Sequence, residues 1–342
     1  MALVIRESWA DKVKFIGIFL MLLGHNALAN DKLFDFIYSF HMPLFFIISG
    51  YFSNNKNDLF KDYLLKNIKC LLIPYIFFYL LTLPFGYFVI WAHPYNHPYS
   101  SPVDFLLKPL IGMLTVETTS FAFHSNGPSW FFVALFWVKM LFYIPKKYKC
   151  NCLSLIASCL GCVCILFLIK WCDMNFYTRI DTALLAFPLY VLGYIIRNYT
   201  NVVNYIRQMS ICYNILGILF SFGLCYIFCM INGHVEFSAA SYGKDLLLMY
   251  VNAVIGTLGV IILSCIIPDN KYLTIIGGGT GIILGLHSPI QQLVKEVFKA
   301  MFNIPTHDYS FIVALLIVIL VLIIHIPIII LFNKKIPFLI GK

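Results

Sequence analysis

Charge is what this 342-residue sequence has least of. Asp, Glu, Lys and Arg together make up 11% of it, against roughly a quarter in a soluble domain. Apolar residues make up 61% and the mean hydropathy is +0.87. A water-soluble globule of this size has nowhere to hide that much apolar surface, so lipid must be the solvent for most of the chain. A soluble enzyme, a disulfide-stapled secreted module, a disordered tail and a nucleic-acid-binding domain are excluded. Other things are missing too. The nine histidines contain no HExxH or comparable metal spacing, and no Gly-Lys-Ser/Thr phosphate loop occurs. No internal repeat of the kind that builds many two-halved transporters is visible, and carboxylates are nearly absent from midspan positions. The first long apolar run is of full span length and has no small-residue cleavage site, so it is not expected to be a cleavable leader.

What the sequence does have is long apolar runs. A bilayer-crossing helix needs about 20 mostly apolar residues, and ten runs qualify: 12–30, 33–53, 70–91, 128–145, 153–171, 180–197, 211–231, 245–267, 276–296 and 310–332. The expected fold is therefore an all-α polytopic membrane protein, a single transmembrane domain over 1–342 with no appended soluble domain. The first two runs are joined so tightly around Asn30–Lys32 that they should form an antiparallel hairpin. Lys and Arg number 24; Lys139 falls inside the fourth run. Of the rest, sixteen lie on the side of the N-terminus and seven on the other. By the positive-inside rule both termini should be cytoplasmic. The longest connection, 92–127, then lies outside and carries His93, His97 and His124, which read as solvated. The 11 cysteines sit mostly within apolar runs and read as small hydrophobes; Cys159 and Cys162 have a redox or zinc spacing but lie mid-run.

Ionisable residues within a span cost free energy, so each is a site hypothesis by default. The first hairpin concentrates them. Asp11, Lys14, Ile18 and His25 fall on one helix face. Lys14 and His25 are eleven residues apart, a rise of roughly 16 Å. Lys14 would lie near the cytoplasmic edge and His25 well inside, a stripe suited to an elongated ligand with an anionic end. The plainer reading of His25 is a histidine bonded to a neighbouring helix. His41 lies within reach of the same region, two residues before Pro43; it either takes part in a site or satisfies carbonyls that the proline frees. Asp11 reads as interfacial, capping or balancing charge. Arg179 and Asp181 read as an interfacial pair at the outer edge of the sixth run. The glycines of "GGGTG" at 277–281 read as close helix packing.

"DKVKFIGIFLMLLGH" followed by "FHMPLFFIISGYF" resembles the N-terminal signature of the acyltransferase-3 family, multi-span membrane O-acyltransferases that are largely bacterial. The residues that carry it are Asp11, Lys14, Gly17, Gly24, His25, Phe40 through Phe46, Ser49, Gly50 and Tyr51. The resemblance continues in order along the chain. "KNIKCLLIPY" with Lys66 and Lys69 is similar to a basic stretch leading into the third span. "GPSWFFVALF" is similar to a Trp-Phe motif at Trp130, "ALLAFPLYVLGYIIR" to a sixth-span run, and "GGGTGIILGLHSPI" to a Thr280-to-His287 segment. One departure is that many members carry Arg where this chain has Lys14, which keeps the charge but not the bidentate geometry.

The resemblance implies an acyltransferase of the bacterial cytoplasmic membrane, transferring acyl groups other than aminoacyl groups. The expected reaction moves acetyl from acetyl-CoA to a sugar hydroxyl of a surface glycan or its lipid-linked precursor. It implies His25 as the catalytic residue, either as a general base or as a transient acyl carrier, with His41 orienting it or contacting the acceptor. Lys14, Lys66 and Lys69 would contact the CoA phosphates, unless the last two only express the positive-inside excess. Asp11, Trp130 and His287 would support the site, Trp130 as an aromatic platform or as packing. No permanently bound cofactor and no metal is implied. The alternative is a transporter or flippase for a lipid-linked sugar or organic anion, which would more often show repeats and midspan carboxylates. A glycan polymerase would need a large outer loop with several basic residues, and 92–127 has only Lys108.

Overall fold

A computed structural model describes residues 7–26, 31–53, 59–92, 101–116, 127–148, 150–174, 177–303 and 309–342. Within them the chain is mostly helical, with no strands; the one β-bridge, Glu236 to Ser241, is isolated. The helices are α1 (Ser8–Gly24), α2 (Asp31–Tyr38), α3 (His41–Tyr51), α4 (Phe60–Asn67), α5 (Ile73–Ala92), α6 (Pro102–Thr115), α7 (Trp130–Lys147), α8 (Cys152–Trp171), α9 (Ile180–Tyr199), α10 (Val202–Gln208), α11 (Ile211–Asn232), α12 (Leu246–Ile266), α13 (Lys271–Gly278), α14 (Thr280–Phe302) and α15 (Phe311–Lys335). Eight stretches among the described residues are long and apolar enough to cross a membrane, and α13–α14 make a ninth if that bent pair is one span. With 17 residues, α1 sits at the short end of the spanning range. The chain is a polytopic all-α membrane protein.

Four expected spans differ in shape. The first run was expected to reach residue 30, but α1 stops at Gly24, so His25 closes the helix instead of lying within it. The turn that would form the hairpin, 27–30, lies outside the described residues. The second run is broken between α2 and α3 at Ser39–Phe40. The cause is Pro43, which cannot donate to the Ser39 carbonyl and whose ring crowds it. The third run starts early, at Phe60, and widens into a π-turn at Ile68–Leu72. Pro74 does this by withholding the hydrogen bond that Cys70 would have accepted. The ninth run bends by 83° between α13 and α14, where three consecutive glycines weaken the helix. The long 92–127 connection contains α6; His93, His97 and His124 lie outside the described residues.

Lipid tails are as apolar as leucine, so helices in a bilayer associate through close packing more than through the hydrophobic effect. The tightest crossing is α3 on α9. A methyl group on Gly50 would lie 1.8 Å from the Tyr190 carbonyl oxygen, and one on Gly193 would lie 1.9 Å from that of Ile47. The two backbones touch, and only glycine allows it. The α2–α3 pair and α9 are each 61% buried, against 17% for α8 and 22% for α11, which are peripheral. Cys159 and Cys162 on α8 are free thiols. α1 packs on α3, α12 and α13, and Gly277 of the "GGGTG" stretch lies against the Asp11 backbone.

Polar anchors gather at the end of α1 that holds Ser8. Arg197 donates to Glu7 at 2.5 Å and to the Tyr51 hydroxyl at 3.1 Å. Lys12 donates to the Ile267 carbonyl at 2.7 Å and pairs with Asp269 at 3.0 Å. That lysine holds the exposed Asp269 carboxyl below its ordinary range. Arg179 and Asp181, expected as a pair, act separately. Arg179 donates to the carbonyls of Val116 and Ser238, while Asp181 accepts from the Thr182 amide.

Candidate active site

Three cavities lie along α1. At its far end a cavity of about 520 Å³ is lined by His25, Tyr38, His41, Trp130, His287 and Lys295, among others. Near its start a cavity of about 320 Å³ is lined by Lys14, Lys66, Lys139 and Lys146 with Tyr63, Asn67 and Ser49. Between them is an apolar cavity of about 230 Å³. It shares Lys14, Ile48 and Ser49 with the basic cavity and Met21, Met42 and Leu284 with the histidine cavity. The face expected from the spacing of Lys14, Ile18 and His25 therefore runs past all three. α14 lines two of them, with Thr280 and Gly281 at the apolar cavity and His287 at the histidine cavity.

His25 follows the last turn of α1, its amide bonded to the Met21 carbonyl at 3.0 Å. The residue as a whole is half-buried. The Tyr38 hydroxyl stands 3.5 Å from its Nδ1, at the limit of hydrogen-bond reach. The His287 ring lies 5.4 Å away between centroids. Tyr38 also abuts His41, at 4.9 Å between centroids. His41 starts α3 and is buried; its Nδ1 donates to the Ile37 carbonyl at 2.9 Å. The bond goes to the carbonyl one turn back on its own chain and not to that of Ser39, which Pro43 frees, and Nε2 is left as the lone-pair nitrogen.

His287 follows the same design. Its Nδ1 donates to the carbonyls of Ile283 and Leu284 at 3.0 and 3.1 Å, two residues before Pro289. His325, two residues before Pro327 on α15, donates to Val321 at 2.7 Å. In all three His-x-Pro sequences the imidazole supplies a donor beside the turn that the proline weakens. The recurrence of His-x-Pro in three apolar runs was the signal for it, and His325 went unremarked in the sequence.

Two buried amides tie the end of α1 to α14 and α15. Gln291 Nε2 donates to Asn26 Oδ1 at 2.5 Å and to the Leu22 carbonyl at 3.2 Å. Asn26 Nδ2 donates to the Ala314 carbonyl at 3.1 Å. Gln291 is one turn beyond His287, and that spacing was its only clue.

The basic cavity contains two of the three expected cations, Lys14 and Lys66, and two that the sequence had not assigned to a site, Lys139 and Lys146. Lys139 and Lys146 are two turns apart on one face of α7. Lys146 lies 4.6 Å over the Tyr63 ring, and the Tyr63 hydroxyl donates to the Lys139 carbonyl at 3.0 Å. Lys139 stood out as a lysine within a span; the i, i+7 spacing to Lys146 completes the signal. Lys69 lies in the π-turn, is exposed, and lines none of these three cavities. Asp11 is buried and pairs with Lys14 at 3.0 Å, which makes it a charge-balancing partner of the cavity's own lysine. Trp130 opens α7 and is buried against the histidine cavity.

A family model described as an acyltransferase domain matches residues 7–339. The chain belongs to the acyltransferase-3 family. No curated protein and no solved structure matches it. The match covers every helix around the three cavities, so all of them belong to the acyltransferase domain. In this membrane acyltransferase the histidine-lined, basic and apolar cavities are parts of one domain.

Proposed function

We infer that this acyltransferase is an O-acetyltransferase of a bacterial cytoplasmic membrane, with ten spans and both termini inside. It moves acetyl from acetyl-CoA to a sugar hydroxyl of a surface polysaccharide or its lipid-linked precursor. The observation that carries the reading is that Lys14 and His25, on one helix face, open into a basic and a histidine-lined cavity with an apolar one between. CoA is a polyanion joined by a long neutral arm to a thioester. Lys14, Lys66, Lys139 and Lys146 suit its phosphates, the apolar cavity suits the arm, and His25 suits the thioester end.

His25, in the neutral form, takes the proton of the acceptor hydroxyl as that oxygen attacks the thioester carbon. His287 and Tyr38 confine the ring, while His41, its Nδ1 committed to backbone, offers Nε2 to the acceptor. Trp130 gives a sugar ring an apolar face.

Mass spectrometry of surface glycans from cells with and without the gene tests this. The expected result is a difference of one acetyl group per glycan repeat, absent again when the gene carries His25→Ala. Unchanged glycans, together with purified protein that releases no CoA from acetyl-CoA, would overturn it in favour of a carrier for the lipid-linked sugar.

A further inference from the structure

The cavity around His25 holds a cation that the reading above leaves unused. Lys295 on α14 is 8% exposed and lines that cavity. Its Nζ donates to the carbonyl oxygen of His25 itself, at 3.1 Å. Among the described residues no carboxylate lies within ion-pair distance of it. Its other neighbour is the Tyr309 ring, 5.8 Å from Nζ. Glu236, the carboxylate on the same cavity wall, accepts from the Ser238 amide and hydroxyl at one oxygen, Oε1, at 3.1 and 2.6 Å. The amide donors nearby are also committed: Gln291 to Asn26 and Leu22, Gln292 to Glu296 at 3.0 Å.

A buried ammonium with no counter-ion among the described residues is expensive to keep. Capping the C-terminus of α1 accounts for part of its presence, because a cation there meets unpaired carbonyls. A cap uses one N–H, and an ammonium has three. The remaining donors border the space where the thioester and the imidazole must meet.

We propose that Lys295 is a catalytic residue of the transfer, the cation that stabilises the tetrahedral oxyanion. The inference rests on the assignment of acyl transfer to His25. The acceptor oxygen bonds to the thioester carbon as its proton passes to the His25 imidazole. The carbonyl π pair moves onto oxygen, and that oxyanion is held by the Lys295 ammonium. The pair then returns, the C–S bond breaks, and the departing thiolate takes the proton from His25. Anchoring Nζ to the backbone of the residue that moves the proton keeps charge stabilisation and proton transfer in register, and such preorganised donors supply a large share of the rate in acyl transfer.

The test uses full-length protein in detergent or nanodiscs, with Lys295→Met and Lys295→Arg. Turnover of acetyl-CoA is followed with glycan acceptor and, separately, with water as acceptor. The expected loss for Lys295→Met is about 10²- to 10³-fold in kcat in both assays, with KM for acetyl-CoA within twofold and thermal unfolding little changed. Lys295→Arg should recover at least a tenth of the parent rate. If Lys295→Met turns over within threefold of the parent, the proposal fails. It also fails if the loss lies in the KM of the glycan alone and hydrolysis is untouched, which would make Lys295 a ligand for an anionic acceptor. A loss matched by unfolding and not relieved by arginine would reduce it to a helix cap. If the parent protein has no activity in either assay, the acyl-transfer reading itself has failed.

Discussion

The imidazoles of His25 and His287 lie 5.4 Å apart, centroid to centroid, across the cavity between α1 and α14. The two rings are held differently. His287 is clamped by two carbonyls of its own helix. His25 has only the distant Tyr38 hydroxyl at its Nδ1, so its ring is the one available to reacting atoms. His25→Ala is expected to lower acyl transfer by about 10²- to 10⁴-fold, the range of a lost acid–base group, while the protein still inserts normally. His287→Ala should cost at most about 10²-fold, the order expected if only the orientation of its neighbour suffers. Acetyl transfer in membranes, normalised to protein detected by immunoblot, distinguishes them. Equal losses in the two variants would mean that the rings act as one unit.

The basic cavity makes a second set of expectations. A hydrogen bond to a charged group contributes roughly 1.5–3 kcal/mol, about ten- to a hundredfold in binding. Lys14→Ala and Lys139→Met should each raise the KM for acetyl-CoA by about that factor. Lys14→Arg should not, since it preserves the charge facing the phosphates. Lys69→Ala is the control: its side chain lines none of the three cavities and its KM should match the parent. A KM increase for Lys69→Ala as large as that for Lys14→Ala would mean that the phosphates lie elsewhere.

How much of this was legible in the sequence depended on whether the signal was local. The stripe from Lys14 to His25 follows from helix periodicity and needs no knowledge of partners. Lys66 could be placed in a basic stretch, but that it faces the cavity while Lys69 does not depends on the π-turn at Ile68–Leu72, a response to Pro74 that hydropathy cannot register. The α2–α3 break was legible as a helix kink at Pro43, but the 83° bend before α14 was lost, because apolar runs show where a chain enters lipid, not where it bends within it. Gln291 and Lys295 remained hidden because their meaning comes from contact with α1, 265 and 270 residues earlier in the chain.

The α3–α9 contact allows a stability prediction. In Gly50→Ala the added methyl group would fall 1.8 Å from a backbone oxygen of α9, which no rotamer change can relieve. The helices must move apart, at a cost above the usual 1–3 kcal/mol of overpacking. The expected outcome is a large drop in the unfolding temperature in detergent, with little active protein recovered. Gly223→Ala on α11, where nothing lies within 4 Å of the added carbon, should unfold within a degree or two of the parent, because alanine also improves helix propensity there by roughly 0.8–1.0 kcal/mol. Similar melting temperatures for the two variants would show that the α3–α9 crossing is looser than the structure has it.

The apolar cavity can be tested without touching a polar group. Gly281 lies on its wall, and a methyl group there would meet only the Phe132 ring, at 3.7 Å, an ordinary contact. Gly281→Ala should therefore fold and work much as the parent does. Gly281→Leu extends a branched side chain into a space of about 230 Å³ and should obstruct the passage from Lys14 to His25. If the thioester arm travels through that space, Gly281→Leu lowers kcat/KM for acetyl-CoA by about 10²-fold, since misplacement by about an ångström is already that costly. Binding of 3′,5′-ADP, which carries the CoA phosphates without the arm, should be unaffected, because the basic cavity is left intact. Isothermal titration of both ligands against the leucine variant separates the cases. Weakened binding of the armless nucleotide would mean that the mutation disturbs the basic cavity, and unchanged transfer kinetics would mean that the arm reaches His25 by another route.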